Sequence, residues 1–174
     1  MKRYGIAALI GFIATIFMAN WAIRQFGPVP VGFGLLAPAG VYFVGVAFTL
    51  RDIVHDTLGR VAVVAAILLG AAASAVVSRE FALASGVAFL VSEALDLVVY
   101  TPLRDRGRWL LGVALSNTVG LLADSILFLW LAFGSLAFLP GQLVGKAWMT
   151  LLAVVLLFGW KSWSRSREPV WGVA

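Results

Sequence analysis

The residues able to do chemistry in this chain are few, and they sit where they are expensive. Within long apolar runs lie Glu93, Asp96, Asp124 and Lys146, together with the amides Asn20, Asn117 and Gln142. An ionised side chain at the middle of a bilayer costs about 2.5–3.5 kcal/mol on insertion scales, so several in one short chain need a compensating role. Their spacing is helical. Glu93 and Asp96 are three apart and share a face. Asn117, Gly120 and Asp124 follow at i, i+3 and i+7, and Gln142, Lys146 and Thr150 form a stripe at four-residue intervals. Such stripes converge inside a bundle, because facing lipid is the costlier alternative. Two plainer readings stand beside this one. Lys146 can pair with one acid simply to hold two helices together, and Asp96 and Gln142 lie near helix ends where water can reach them. Pairing does not exhaust the set, however. One Lys cannot neutralise three carboxylates, so at least one acid is protonated, hydrated or waiting for a ligand, which argues for a polar cavity.

Other chemistry is thinly represented. Asp52 and Asp56 are four apart, with His55 between them, in the polar stretch RDIVHDTLGR. They are too few for a tight cation site, so Asp52, Asp56 and Gly59 are read as a gate or structural turn. No metal site, cofactor or catalytic group is expected. With no Cys there is no disulfide, thiolate ligand or Cys nucleophile, and a single His makes a Ser–His triad or His-based metal centre improbable. No Gly-rich phosphate loop, nucleophile elbow or His-Glu-x-x-His pattern is present. Phe43, Phe89, Phe128, Trp130 and Trp148 can stack on a planar ligand or simply fill core and lipid-facing positions. Gly112, Ser116 and Gly120, like Gly70 and Ser74, read first as close helix packing. Trp109, Trp160 and Trp163 fall at boundaries, where they anchor to the interface.

The elements that must position these groups follow from composition. The chain has 174 residues, 62% hydrophobic and 12% charged, with a mean hydropathy of +1.01. A soluble domain has about 25% charged residues, so this one could not coat a water-facing surface. Six apolar segments stand out, roughly 4–23, 34–50, 61–77, 81–100, 109–133 and 143–160. The expectation is an all-α integral membrane protein: one domain over residues 1–174, a bundle of six transmembrane helices. The basic start MKRYGIAALIGFIATIF resembles a signal peptide, but the run continues to Asn20 without a cleavage site and is read as a retained helix. With a cytoplasmic N-terminus, ten basic residues (Lys2, Arg3, Arg51, Arg60, Arg104, Arg106, Arg108, Lys161, Arg165 and Arg167) lie inside and two (Arg24 and Arg79) outside. That bias puts both termini in the cytoplasm. The net charge of +5 is spread over these helix ends rather than one face, so nucleic acid is not a partner; the lipid bilayer is.

Taken in order, these residues resemble a known family. Asn20-Trp21 closes the first helix, and Gly40, Phe48 and Asp52-x-x-x-Asp56-x-x-Gly59 follow. Then come Glu93, Asp96, Tyr100 and Arg104 in ASGVAFLVSEALDLVVYTPLR, next Ser116, Gly120, Asp124-Ser125 and Phe128, and finally Lys146. This pattern is similar to that of the putative vitamin uptake transporters, whose best-known members carry queuosine precursors. It departs in three respects. Asp56 stands where the family has Glu, Gly45 stands where many members have Pro, and the loops are trimmed.

The resemblance implies a multi-pass protein of the bacterial inner membrane that imports 7-cyano-7-deazaguanine or 7-aminomethyl-7-deazaguanine, and no enzyme activity. The residues fit such a deazapurine substrate on chemical grounds. The base edge presents a ring N–H beside an exocyclic amine, which one carboxylate can accept, while Asn or Gln serves the carbonyl. The expected site is one central cavity built from Asn20, Glu93, Asp96, Asn117, Asp124, Gln142 and Lys146, with the acids binding the base or carrying a coupling proton. The alternatives are a substrate-binding membrane subunit of an ATP-driven uptake system and, further off, a non-transporting membrane enzyme. A second copy of the chain or an energising subunit would be the protein partner.

Overall fold

The computed structural model describes residues 2–165. The tail with Arg167 lies outside the described residues, as do the side chains of Lys2, Arg3, Arg104, Trp109, Trp160, Lys161, Trp163 and Arg165. Six α-helices carry the fold: α1 Lys2–Phe26, α2 Val44–Leu58, α3 Arg60–Ser74, α4 Arg79–Asp105, α5 Trp109–Phe133 and α6 Leu139–Arg165. Among the described residues, three stretches are long and apolar enough to cross a membrane: Tyr4–Phe26, Arg79–Leu103 and Leu110–Phe133. At 15 residues each, α2 and α3 are about 22 Å long at 1.5 Å per residue, short of a hydrocarbon layer of about 30 Å.

The expectation of a continuous second helix over 34–50 is not met. Pro28 and Pro30 deny the chain helical N–H groups, and Pro28–Gly32 (β1) instead pairs antiparallel with Leu35–Pro38 (β2). Phe33 and Gly34 form the two-residue turn, both at positive φ, the arrangement that matches the twist of a tight hairpin. Phe33 tolerates this conformation while lying over Trp148 of α6, with ring centroids 6.4 Å apart and nearly parallel. A 3₁₀ turn, Ala39–Phe43, then leads into α2. The all-α expectation is therefore corrected by one small hairpin. The polar stretch expected as a connection is also different. Residues 51–58 continue α2, so Asp52 and Asp56 are helical and exposed, and only Gly59 makes the turn, at φ 84.

α4 and α5 form the most extensively packed pair, while α1 packs against α2 and α3, and α6 lies across α2 and the hairpin. Small residues make the close approaches. A Cβ on Gly45 would collide with the backbone carbonyl of Met149 on α6, which explains why this position is bare here. Gly112 and Gly120 abut α4 at Tyr100, Leu103 and Ser92, as the packing reading of that ladder requires. Apolar side chains such as Ile10, Leu68, Leu83, Leu110 and Leu151 point outward, whereas Thr15, Asn20, Ser74, Ser116, Ser125, Gln142 and Lys146 are buried. An apolar outside around a partly polar inside suits lipid as the solvent.

Candidate functional site

Lys146 is 1% exposed and is held by α5. Its Nζ donates to Asp124 Oδ2 at 2.5 Å and to Ser125 Oγ at 2.7 Å. The adjacent acid and hydroxyl both point toward α6, so the ammonium is neutralised and oriented at once. Two N–H groups are thus committed, leaving the third available to the cavity. One turn earlier on α6, Gln142 is 5% exposed, and its Oε1 is buried without a hydrogen-bond partner. A buried acceptor in that condition costs about 1–3 kcal/mol. Asn20, on α1, is fully used. Its Nδ2 donates to Ile16 O and Ser74 Oγ, and its Oδ1 accepts from Ser85 Oγ. It ties α1 to α3 and α4.

Asn20, Asp124, Gln142 and Lys146 line one cavity of about 90 Å³, whose walls include Phe43, Phe48, Phe89 and Phe128. Gly40 and Val41 of the 3₁₀ turn also line it. Ala37–Val41 is buried throughout, so this non-helical stretch is covered by protein.

Glu93, Asp96 and Asn117 do not join that group. They line a second cavity of about 230 Å³ with Arg51, Asp52, Ser92 and Thr150. One ordered water occupies about 10–15 Å³ of such space, so neither cavity is a single-water defect. Here Arg51 donates to Glu93 Oε2 at 2.5 Å, and its Nε lies 2.9 Å from Asp52 Oδ1. The guanidinium carbon sits 5.5 Å from the centre of the Phe48 ring, close enough for a cation–π contact. The seven residues expected around one cavity are thus distributed over two, which share Phe48 and Phe89. Asp56 and Gly59 line neither.

Sequence reasoning missed Arg51 as a cavity residue, because at the end of an apolar run it counts as a topology signal. It also missed Ser74 and Ser85 as partners of Asn20. Their spacing on α3 and α4 reads as small-residue packing, and nothing local marks a hydrogen bond across 65 residues.

A family model described as putative vitamin uptake transporter matches residues 75–161. No curated protein and no solved structure matches the chain. The matched half of the chain holds α4, α5 and most of α6, and with them Glu93, Asp96, Asn117, Asp124, Gln142 and Lys146, in an apolar helical framework. On that match the chain belongs to the putative vitamin uptake transporter family.

Proposed function

We propose that this protein imports a queuosine precursor, 7-cyano-7-deazaguanine or 7-aminomethyl-7-deazaguanine, across the bacterial inner membrane, and that the cavity around Lys146 is where it binds. The observation that carries this reading is the pairing of two unused groups on one face of α6. The orphaned Gln142 Oε1 is an acceptor waiting for an N–H. One turn away, Lys146 keeps a donor for a carbonyl. A deazaguanine ring offers that N–H and C=O side by side on its lactam edge, and its flat faces suit Phe43, Phe89 and Phe128. A buried site built to hydrogen-bond such an edge rejects bases lacking it. Six membrane segments with cytoplasmic termini accompany the proposal, with the hairpin and 3₁₀ turn completing the short second crossing.

The test is rescue of tRNA modification in cells that neither make nor import deazaguanines, supplied with each compound separately. The expected result is restored queuosine with wild-type protein and none with Asp124→Asn, at equal amounts in the membrane. Restoration by Asp124→Asn at wild-type precursor concentrations would overturn the site. No restoration by either compound would overturn the substrate.

A further inference from the structure

The two cavities lie in series. Along α2, Val44 and Ala47 line the first, and Arg51 and Asp52 the second. Along α4, Ser85 gives way to Ser92, Glu93 and Asp96. α5 and α6 make the same transition, from Asp124 to Asn117 and from Lys146 to Thr150. At the crossing level stand two rings. Phe48 and Phe89 alone, among the described residues, line both cavities, with centroids 6.1 Å apart and planes tilted by 60°. They ride on α2 and α4, whose backbones hardly touch. Besides the ring contact, the Arg51–Glu93 ion pair joins these helices, one turn beyond the rings on both: Arg51 follows Phe48 by three residues and Glu93 follows Phe89 by four. Arg51 also lies against the Phe48 ring. Clasp and partition are mechanically one unit.

We propose that the second cavity is a second binding station for the same planar, donor-rich heteroaromatic ligand, and that the Phe48–Phe89 pair is the gate between stations, held shut by Arg51–Glu93. The proposal rests on the transport reading above. The chemistry of the second cavity suits the role. Asp52, Glu93 and Asp96 outnumber Arg51, and Phe48 and Phe89 line this cavity as they line the first. A ligand N–H or ammonium that engages Glu93 competes with Arg51, so arrival at the gate loosens the clasp that closes it.

The natural chain has no Cys, so a single introduced thiol reports alone. Ser85→Cys places it in the first cavity and Ser92→Cys in the second. Each is exposed to a membrane-impermeant thiol reagent from one face of sealed, oriented vesicles at a time. The expected result is labelling of the two from opposite faces. A minor open state is populated at about 0.1–10%, so wrong-side labelling should run at about a tenth of the right-side rate or less. Adding Phe89→Ala or Arg51→Met to Ser92→Cys should collapse that difference, whereas Phe89→Leu, which retains bulk, should preserve it. Two variants aimed at one gate keep the test alive if either fails to fold. Bound 7-cyano-7-deazaguanine should slow labelling at both thiols. Labelling of both from the same face, or a difference unmoved by both gate variants, would overturn the gate; protection of Ser85→Cys alone would overturn the second station. The sidedness arm uses no substrate, so its failure leaves the transport reading standing. Failed precursor rescue with sided labelling intact strikes that reading alone.

Discussion

At the scale of single residues, the polar interior divides into groups that hold the protein together and groups left over. Lys146 belongs to the first kind. Removing one partner of a buried ion pair costs about 3–5 kcal/mol, because the other charge stays behind. Lys146→Met should therefore lower the melting temperature of the purified protein sharply, and adding Asp124→Asn should recover much of that loss. Additive losses in the double variant would contradict the pairing. Gln142 is of the second kind. In Gln142→Met the shape is kept and an unsatisfied acceptor disappears, so the ligand-free protein should melt no lower than wild type. Its deazaguanine affinity should fall by roughly tenfold, the worth of about one hydrogen bond. Unchanged affinity would remove Gln142 from the site. Lys146, the three acids and Gln142 were legible from the sequence because a charged or amide side chain in or beside an apolar run is conspicuous. That Lys146 could pair with an acid was legible, but which of the three it takes was not, and neither was the orphaned Oε1. Whether a polar atom is satisfied depends on neighbours from other elements, which no local pattern encodes.

At the scale of elements, α5 was legible to its ends, since a long, largely apolar run leaves little room for another reading, whereas α4, expected over 81–100, continues to Asp105. The second segment was not. Its apolar residues 34–43 satisfy a composition count equally well as helix or as strand and turn. What decides is the pair of prolines before it and the tight Phe33-Gly34 turn, an uncommon pair for such a position. Likewise α2 runs on through RDIVHDTLGR because that stretch, though polar, contains no helix breaker before Gly59. The contact of α2 with α6 leads to a prediction. Gly45→Ala puts a methyl against the Met149 carbonyl, and overpacking of this kind costs about 1–3 kcal/mol. Thermal unfolding should show that loss, and a melting temperature equal to wild type would mean the helices can separate there freely.

At the scale of the whole molecule, the α4–α5 hairpin meets the remaining helices across the two cavities and is linked over them by side chains: Asn20 to Ser85, Lys146 to Asp124 and Ser125, and Arg51 to Glu93. Beside these polar links the same hairpin packs through apolar side chains, with Ile23 of α1 against Ala84, Ala88, Phe128 and Leu129 and Phe12 of α1 against Phe89. Topology is the companion expectation at this scale. The proposed six-segment arrangement, drawn from ten basic residues against two, would put both termini in the cytoplasm; reporter fusions after Arg165 and after Arg106 should then both give cytoplasmic signals, and a periplasmic signal from either would break it. The central claim is that this chain alone carries a deazaguanine through a site built on Asp124, Gln142 and Lys146. Uptake of radiolabelled 7-cyano-7-deazaguanine and 7-aminomethyl-7-deazaguanine, each tested separately, into proteoliposomes containing only the purified protein tests it most directly. The account predicts saturable accumulation of at least one of the two, blocked by an excess of the same unlabelled compound but not by adenine, and lost in Asp124→Asn. Binding of both without entry of either, or equal entry of both into protein-free liposomes, would contradict it.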